Sequence, residues 1–227
     1  MDILLLAATP HEIAPTLSFL EHTFTAQQNG SYQHGSLTVT PLVSGIGMVA
    51  TAWQLGVHFA HHRPRLAINA GIAGALDRTI AIGDVLQVIT ERFGDLGAED
   101  ADGRLIDLFE LDLLETDTLP YTSGLLVNTA GAENQFLPPA HGLTVNKVHG
   151  AAASIAAIRA KYPDAQIETM EGAAFFYACQ LAGVPFLEIR SISNYVEPRN
   201  REAWNLPLAI DNLNAVLRHL LETFLNE

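Results

Sequence analysis

The sequence predicts an α/β fold with a mixed or parallel sheet. Two patterns carry this. Short apolar runs that read as buried strands alternate with longer segments of helical spacing. Glycine-rich turns close two of those strands, Ser44-Gly45-Ile46-Gly47 and Ala70-Gly71-Ile72-Ala73-Gly74-Ala75. The chain also has 227 residues, 48% hydrophobic and 16% charged, enough to bury a sizeable core and too apolar for intrinsic disorder.

The elements follow in order. Ile3–Ala8 is an apolar strand ended by Thr9-Pro10, with Pro10 at the first position of a helix. Leu37–Val43 is rich in β-branched residues and leads through the first glycine turn into a helix from Met48 to about Ala60. Leu66–Asn69 is a buried strand running into the second turn. Asp84–Thr90, Gly124–Asn128 and Gly142–Val148 read as further strands. Ala151–Lys161 is a helix ending before Pro163. Met170–Ala182 is a helix closed by Gly183, and Pro185–Ser193 is the next strand. In the last helix Asn205 is the cap and Pro207 sits in the first turn. Ile210, Leu213, Leu217, Leu220, Leu221 and Phe224 recur there at helical spacing. No repeat or linker interrupts the alternation, so residues 1–227 read as one domain.

Acids outnumber bases 25 to 12, a formal charge of −13. That argues against a nucleic-acid partner and against an anionic membrane surface, since both need clustered cations. Eight of the acids lie in Glu99–Asp117, against Arg104 alone. Placing Gly103 as the turn glycine of a calcium loop puts Ala98 and Phe109 at ligand positions, so calcium is rejected. No HExxH or spaced His/Cys cluster exists, so no metal is expected, and no cofactor. The lone Cys179 excludes a disulfide framework and reads as core. No apolar stretch is long enough to span a membrane. The start has no basic segment before its apolar run, so a cytoplasmic location is expected.

Several polar residues sit where chemistry collects. Gly45-x-Gly47-x-x-Ala50 matches a dinucleotide loop in form. The next strand ends in Asn69-Ala70-Gly71 without the acid that binds ribose, which argues against a nicotinamide cofactor. The loop still points backbone N–H groups at an anion or a hydroxyl. Glu12 lies in the first turn of the first helix, as a dipole-stabilising acid or as a general base at the sheet edge. Glu171 is the only acid of an apolar helix, either a cap or a group waiting for a polar ligand. Asn194 closes the strand Pro185–Ser193, where it shapes a turn or meets a ligand. Arg199 and Arg201 follow in a loop with Trp204, as solvated residues or as a receptor for an anionic group.

Together these segments resemble the purine nucleoside phosphorylase and nucleosidase superfamily. The matches are the Glu12 turn, VSGIGMV (Val43–Val49), NAGIAGAL (Asn69–Leu76) with IGDV (Ile82–Val85), TMEGAA (Thr169–Ala174) and RSISN (Arg190–Asn194). The resemblance implies a three-layer αβα fold around a central mixed, twisted sheet, and a homodimer or larger homo-oligomer. In the hydrolytic branch the acid at Glu12 activates water, Met170 and Glu171 hold the ribose, and Asn194 faces the purine N7. By position in the family pattern, Gly45, Ile72, Ala73 and Val148 line the substrate.

Two departures refine this. Asn194 stands where adenine-specific members carry Asp, and an amide donates to a 6-keto oxygen or to N7 as an anion cannot. Ile72 replaces a serine, which puts one water or ribose contact in doubt. Glu91–Gly103 and Ser193–Leu206 look like the branch acting on futalosine in menaquinone biosynthesis, a hypoxanthine nucleoside with a benzoate at its 5′ end. Arg199 or Arg201 can pair with that carboxylate. The competing expectations are phosphorolysis of 6-oxopurine nucleosides with phosphate on Gly45-Ile46-Gly47, a nucleosidase acting on methylthioadenosine, S-adenosylhomocysteine or aminofutalosine, and a nucleoside-binding module without turnover.

Overall fold

The apolar run at the N-terminus sets the centre of the molecule. Ile3, Leu5 and Ala7 point into one core and Leu4 and Leu6 into another, so this strand is buried on both faces. The computed structural model describes residues 1–225. In chain order its elements are β1 (Asp2–Ala7), α1 (Pro10–Thr23), β2 (Thr25–Ala26), β3 (Tyr32–His34), β4 (Leu37–Val43), α2 (Met48–His61), β5 (Leu66–Ala75), β6 (Val85–Glu91), β7 (Gly97–Glu99), β8 (Leu105–Asp107), β9 (Tyr121–Thr122), β10 (Leu125–Val127), α3 (Thr129–Glu133), β11 (Pro139–Thr144), α4 (Ala152–Lys161), β12 (Ile167–Thr169), α5 (Gly172–Ala182), β13 (Phe186–Tyr195) and α6 (Leu206–Leu225).

The main sheet is mixed, in the order β2-β3-β4-β1-β5-β12-β11-β6-β10-β9, with β13 pairing both β5 and β6. Strands β5, β12, β11, β6 and β13 therefore pair in a closed ring. Helices α1 and α6 cover one side through Ile13, Leu20, Leu213, Leu217 and Leu221. Helices α2 and α5 cover the other through Leu55, Phe59, Phe175, Phe176 and Cys179. A smaller cluster holds α4 through Ile155 and Ile158. The expected αβα layering with a mixed sheet is the observed one. Strands β1, β4, β5 and β13 run parallel, so their carboxyl ends share one edge.

Local chemistry sets the boundaries. Thr9 is extended (φ −133°, ψ 152°) and Pro10 opens α1 behind it. The Asn205 side chain accepts the Leu208 N–H at 3.2 Å and caps α6. Beyond shifts of a residue or so, four placements near the site differ from expectation. The strand expected to stop at Asn69 runs on to Ala75, so Asn69 is a buried mid-strand residue. Its Asn-Ala-Gly composition reads as a turn, yet inside the ring small residues let other side chains approach closely. The strand placed at Gly142–Val148 is Pro139–Thr144, and Val148 lies in the following loop. Glu171 is the N-cap of α5 and not in its first turn, and Asn194 lies inside β13 instead of closing it. Helix α5 is buried through Ala173, Phe175, Phe176 and Cys179 and leaves Tyr177 37% and Leu181 52% exposed. Among the described residues no helix is long and apolar enough to cross a membrane.

Candidate active site

The shared carboxyl edge gathers the first group of polar side chains. Glu12 is buried one turn into α1. Its Oε2 accepts from the Thr9 N–H and the Thr9 hydroxyl, each at 2.9 Å, and its Oε1 accepts from the Ile72 N–H at 3.2 Å. One oxygen thus serves the helix N-terminus and the other faces β5. The Asn214 amide donates to the Glu12 carbonyl at 2.8 Å and ties this turn to α6.

Gly71 shows why β5 is built of small residues. A Cβ there would stand 2.2 Å from Arg190 Nη1 and 2.8 Å from Glu12 Oε1. The guanidinium and the carboxylate both lie against its bare backbone. Arg190 is fully buried in β13 and donates from Nε to Glu188 Oε1 at 2.7 Å. Its two Nη atoms have no hydrogen-bond partner within the protein. Burial disfavours the charge, but Glu188, Glu171 and Glu12 outweigh it and hold Arg190 protonated.

Glu171 completes this group. Its Oε1 accepts the Gly47 N–H at 2.8 Å. Gly47 has φ +92°, a conformation open to glycine, and it caps α2. The expected anion at this glycine turn is therefore present as a side chain of the protein itself. Burial raises the Glu171 pKa, against the opposing pull of Arg190 and of the Gly47 amide. Met170 is half-buried beside it, and Gly45 lies in the same turn.

A second group lies farther along β5. Asn194, Val148, Gly74, His149, Glu168, Arg199 and Trp204 are among the residues lining a cavity of about 60 Å³. Asn194 Nδ2 donates to the Tyr195 carbonyl at 2.9 Å. A carbonyl only accepts, so this contact fixes which end of the amide is nitrogen and leaves one N–H free. Ala73 is buried, and its carbonyl accepts from the Ser193 hydroxyl at 3.2 Å.

The structure thus brings Glu12, Glu171, Gly45, Ile72 and Met170 to one place, and Asn194 and Val148 to an adjoining one. Arg199 lines the Asn194 cavity, while Arg201 sits in a short turn outside that lining. Both guanidiniums lie over Trp204, at 5.6 and 6.0 Å from its ring centre. Sequence reasoning did not single out Arg190, Glu188 or Glu168. The signal was present for the first two, as opposite charges at alternate positions of an apolar strand.

The fold and both groups define a class. The phosphorylase superfamily model matches residues 2–222, and the chain belongs to that superfamily. Within it, the chain is 31% identical over 226 residues to the futalosine hydrolase of Acidothermus cellulolyticus, covering 99% of this chain and 92% of that one. It is 34% identical over 174 residues to the futalosine hydrolase of Streptomyces coelicolor, covering 74% and 72%. The 5′-methylthioadenosine/S-adenosylhomocysteine nucleosidase of Neisseria meningitidis, solved with methylthio-immucillin-A, shares the fold. Its TM-score is 0.75 at 19% identity, over 97% of this chain and 98% of that one.

Proposed function

We propose that this chain hydrolyses the N-glycosidic bond of futalosine, releasing hypoxanthine, as one domain in the cytoplasmic stage of menaquinone biosynthesis. The curated relatives named above support the substrate. The observation that carries hydrolysis over phosphorolysis is the 2.8 Å contact between Glu171 and the Gly47 N–H. The turn that would bind phosphate already holds a carboxylate. Around it stand Glu12, Glu171 and Glu188 against the single guanidinium of Arg190. Excess negative charge at this place repels a phosphate dianion and tolerates water.

In this reading Glu12 takes a proton from water on the sugar face opposite the base. Thr9 and Ile72 fix its two oxygens. The water oxygen bonds to C1′ as the C1′–N9 bond breaks. Glu171, anchored by Gly47, holds the ribose hydroxyls and stabilises the developing cationic sugar. Asn194 donates its free N–H to N7 or O6, and the leaving base takes its proton from solvent. Met170, Ile72 and Ala73 shape the sugar site, and Val148 packs at the base. Arg199 or Arg201, whose guanidiniums both lie over Trp204, receives the 5′ carboxylate.

The apolar face of α2 and α5 supports a homodimer. Val49 is 81% and Trp53 70% exposed on α2, and Val49, Tyr177 and Leu181 line a groove of about 610 Å³. Sedimentation velocity reads that state directly. The functional test is incubation with futalosine, with and without phosphate. Hypoxanthine release at the same rate in both, with the sugar unphosphorylated, is expected. A phosphate requirement with a sugar 1-phosphate product would replace hydrolysis with phosphorolysis.

A further inference from the structure

One face of β13 encloses two opposite charges. Glu188 and Arg190 are alternate residues of the strand, so their side chains share a face, and neither has any exposed surface. In register with them on β5 stand Asn69 and Gly71. Behind them, Gly172 opens α5 without a side chain. A Cβ there would lie 2.1 Å from Glu91 Oε1 and 2.7 Å from Glu188 Oε1, so both acids rest against the same bare backbone. Glu91 accepts the Thr144 hydroxyl at 2.8 Å, while Glu188 accepts the guanidinium of Arg190. A buried ion pair repays its desolvation poorly, so stability gives little reason to place two charges inside an apolar strand. Placement gives one.

Arg190 has three carboxylates acting on it, from Glu188, Glu171 and Glu12. Among the described residues it forms an ion pair with Glu188 alone, through the single Nε–Oε1 bond of 2.7 Å. Its Nη atoms make no hydrogen bond, although Nη1 and Glu12 Oε1 converge on the space a Gly71 Cβ would fill. A guanidinium is a planar fork that settles on a free carboxylate with two parallel bonds. On Glu12 such a pair would occupy the lone pairs that a general base needs. On Glu171 it would compete with the Gly47 amide. The bond at Nε fixes the fork at its root and leaves both prongs undocked.

We propose that Glu188 is a positioning residue for hydrolysis: by holding Arg190 at Nε, it keeps the guanidinium beside Glu12 and Glu171 without letting it close on either. This rests on the nucleosidase reading, in which Glu12 takes a proton from water.

The experiment compares Glu188→Ala, Glu188→Asp and Glu188→Gln in the full chain. Turnover of futalosine is measured per site, with sites counted by calorimetric binding of hypoxanthine. The glutamine carbonyl still reaches Nε. Aspartate keeps the charge but falls one methylene short, and alanine removes both. In the alanine and aspartate variants kcat per site is expected to fall about 10- to 100-fold, the scale of a small misplacement at a reacting centre, with little change in KM. The glutamine variant should stand well above both. A pair that only stabilises the fold would lower the number of sites and leave kcat per site unchanged, which overturns the proposal. Glutamine and aspartate variants equally impaired also overturn it. Should Glu188→Ala fail to fold, the contrast of aspartate with glutamine carries the test. The arginine Nε–H signal in NMR of isotope-labelled protein is independent of turnover. A slowly exchanging signal, missing from Arg190→Lys, should persist in Glu188→Gln and be lost in Glu188→Asp. Were futalosine not hydrolysed, the functional reading would fail, and this pattern would still support Glu188 as the clamp on Arg190. A signal unchanged in Glu188→Asp would overturn it.

Discussion

Glu110 and Glu91 show what position does to a carboxylate. Glu110 lies on the acidic segment Glu99–Asp117, beside Lys161 at 2.5 Å and Arg104 at 3.1 Å. The Lys161 hydrogen bond, helped by the Asp107 amide, holds its carboxyl below the ordinary range. Glu91 ends β6 with no exposed surface. Burial first, and then Glu188, push its pKa well above the ordinary range, against the hydrogen bond from Thr144. The surface segment supplies much of the net charge and none of the site. Among the described residues the buried acids are Glu12, Glu91, Glu168, Glu171 and Glu188, and Arg190 is the buried guanidinium. Net charge therefore says which polyanions the molecule avoids, while desolvation marks where chemistry is possible.

The largest expected effect tests the buried side of this contrast. Glu12→Gln keeps the shape of the side chain and removes the proposed base. In steady-state assays on futalosine kcat should fall about 10²- to 10⁴-fold with little change in KM. Full retained turnover would take Glu12 out of the mechanism and leave it a helix cap.

The second prediction separates buried acids that act from those that only sit. The raised pKa of Glu91 means the folded state keeps a proton that the unfolded chain releases above the ordinary carboxylate value of about 4.5. Its contribution to stability is thus complete at low pH and is lost as pH rises through the window above 4.5. Within that window the slope approaches about 1.4 kcal/mol per pH unit. Glu91→Gln mimics the protonated acid and should flatten this slope, so the variant gains on the unaltered chain as pH rises. Urea unfolding at pH 5, 6 and 7 checks it. A parallel pair of pH profiles would show that Glu91 is ionised in the fold.

Much of the frame was legible in sequence because it rests on local signals. The run Ile3–Ala7, the Thr9-Pro10 helix start and the spacing from Ile210 to Phe224 each state their own structure. Glu12, Glu171 and Asn194 stood out because each breaks an apolar context near a predicted turn or strand end. What stayed hidden depends on long-range pairing. Residues 70–75 look like a turn and become strand only because β13 pairs along them. β12 is three residues long, and Glu168 reaches the cavity beside Asn194 only because β5 pairs with both strands. Arg199 and Arg201 look like one cationic pair in sequence, and in the fold both lie over Trp204 while only Arg199 lines the cavity beside Asn194.

The smallest expected effect belongs to the surface. Glu110→Gln removes one partner each of Lys161 and Arg104, which keep Asp107 and Asp100, and Glu110 is 40% exposed with its ion pairs screened. The loss at neutral pH should be below about 1 kcal/mol in urea unfolding and should shrink further in high salt. Its pH dependence runs opposite to that of Glu91. A carboxyl depressed in the fold adds stability above its unfolded value, and that stability disappears as pH falls through the folded value. The Glu110 variant should therefore differ from the unaltered chain at pH 7 and match it in acid, while Glu91→Gln matches it in acid and differs at pH 7 with the opposite sign. Equal signs for both variants would remove desolvation as the property that divides the two groups.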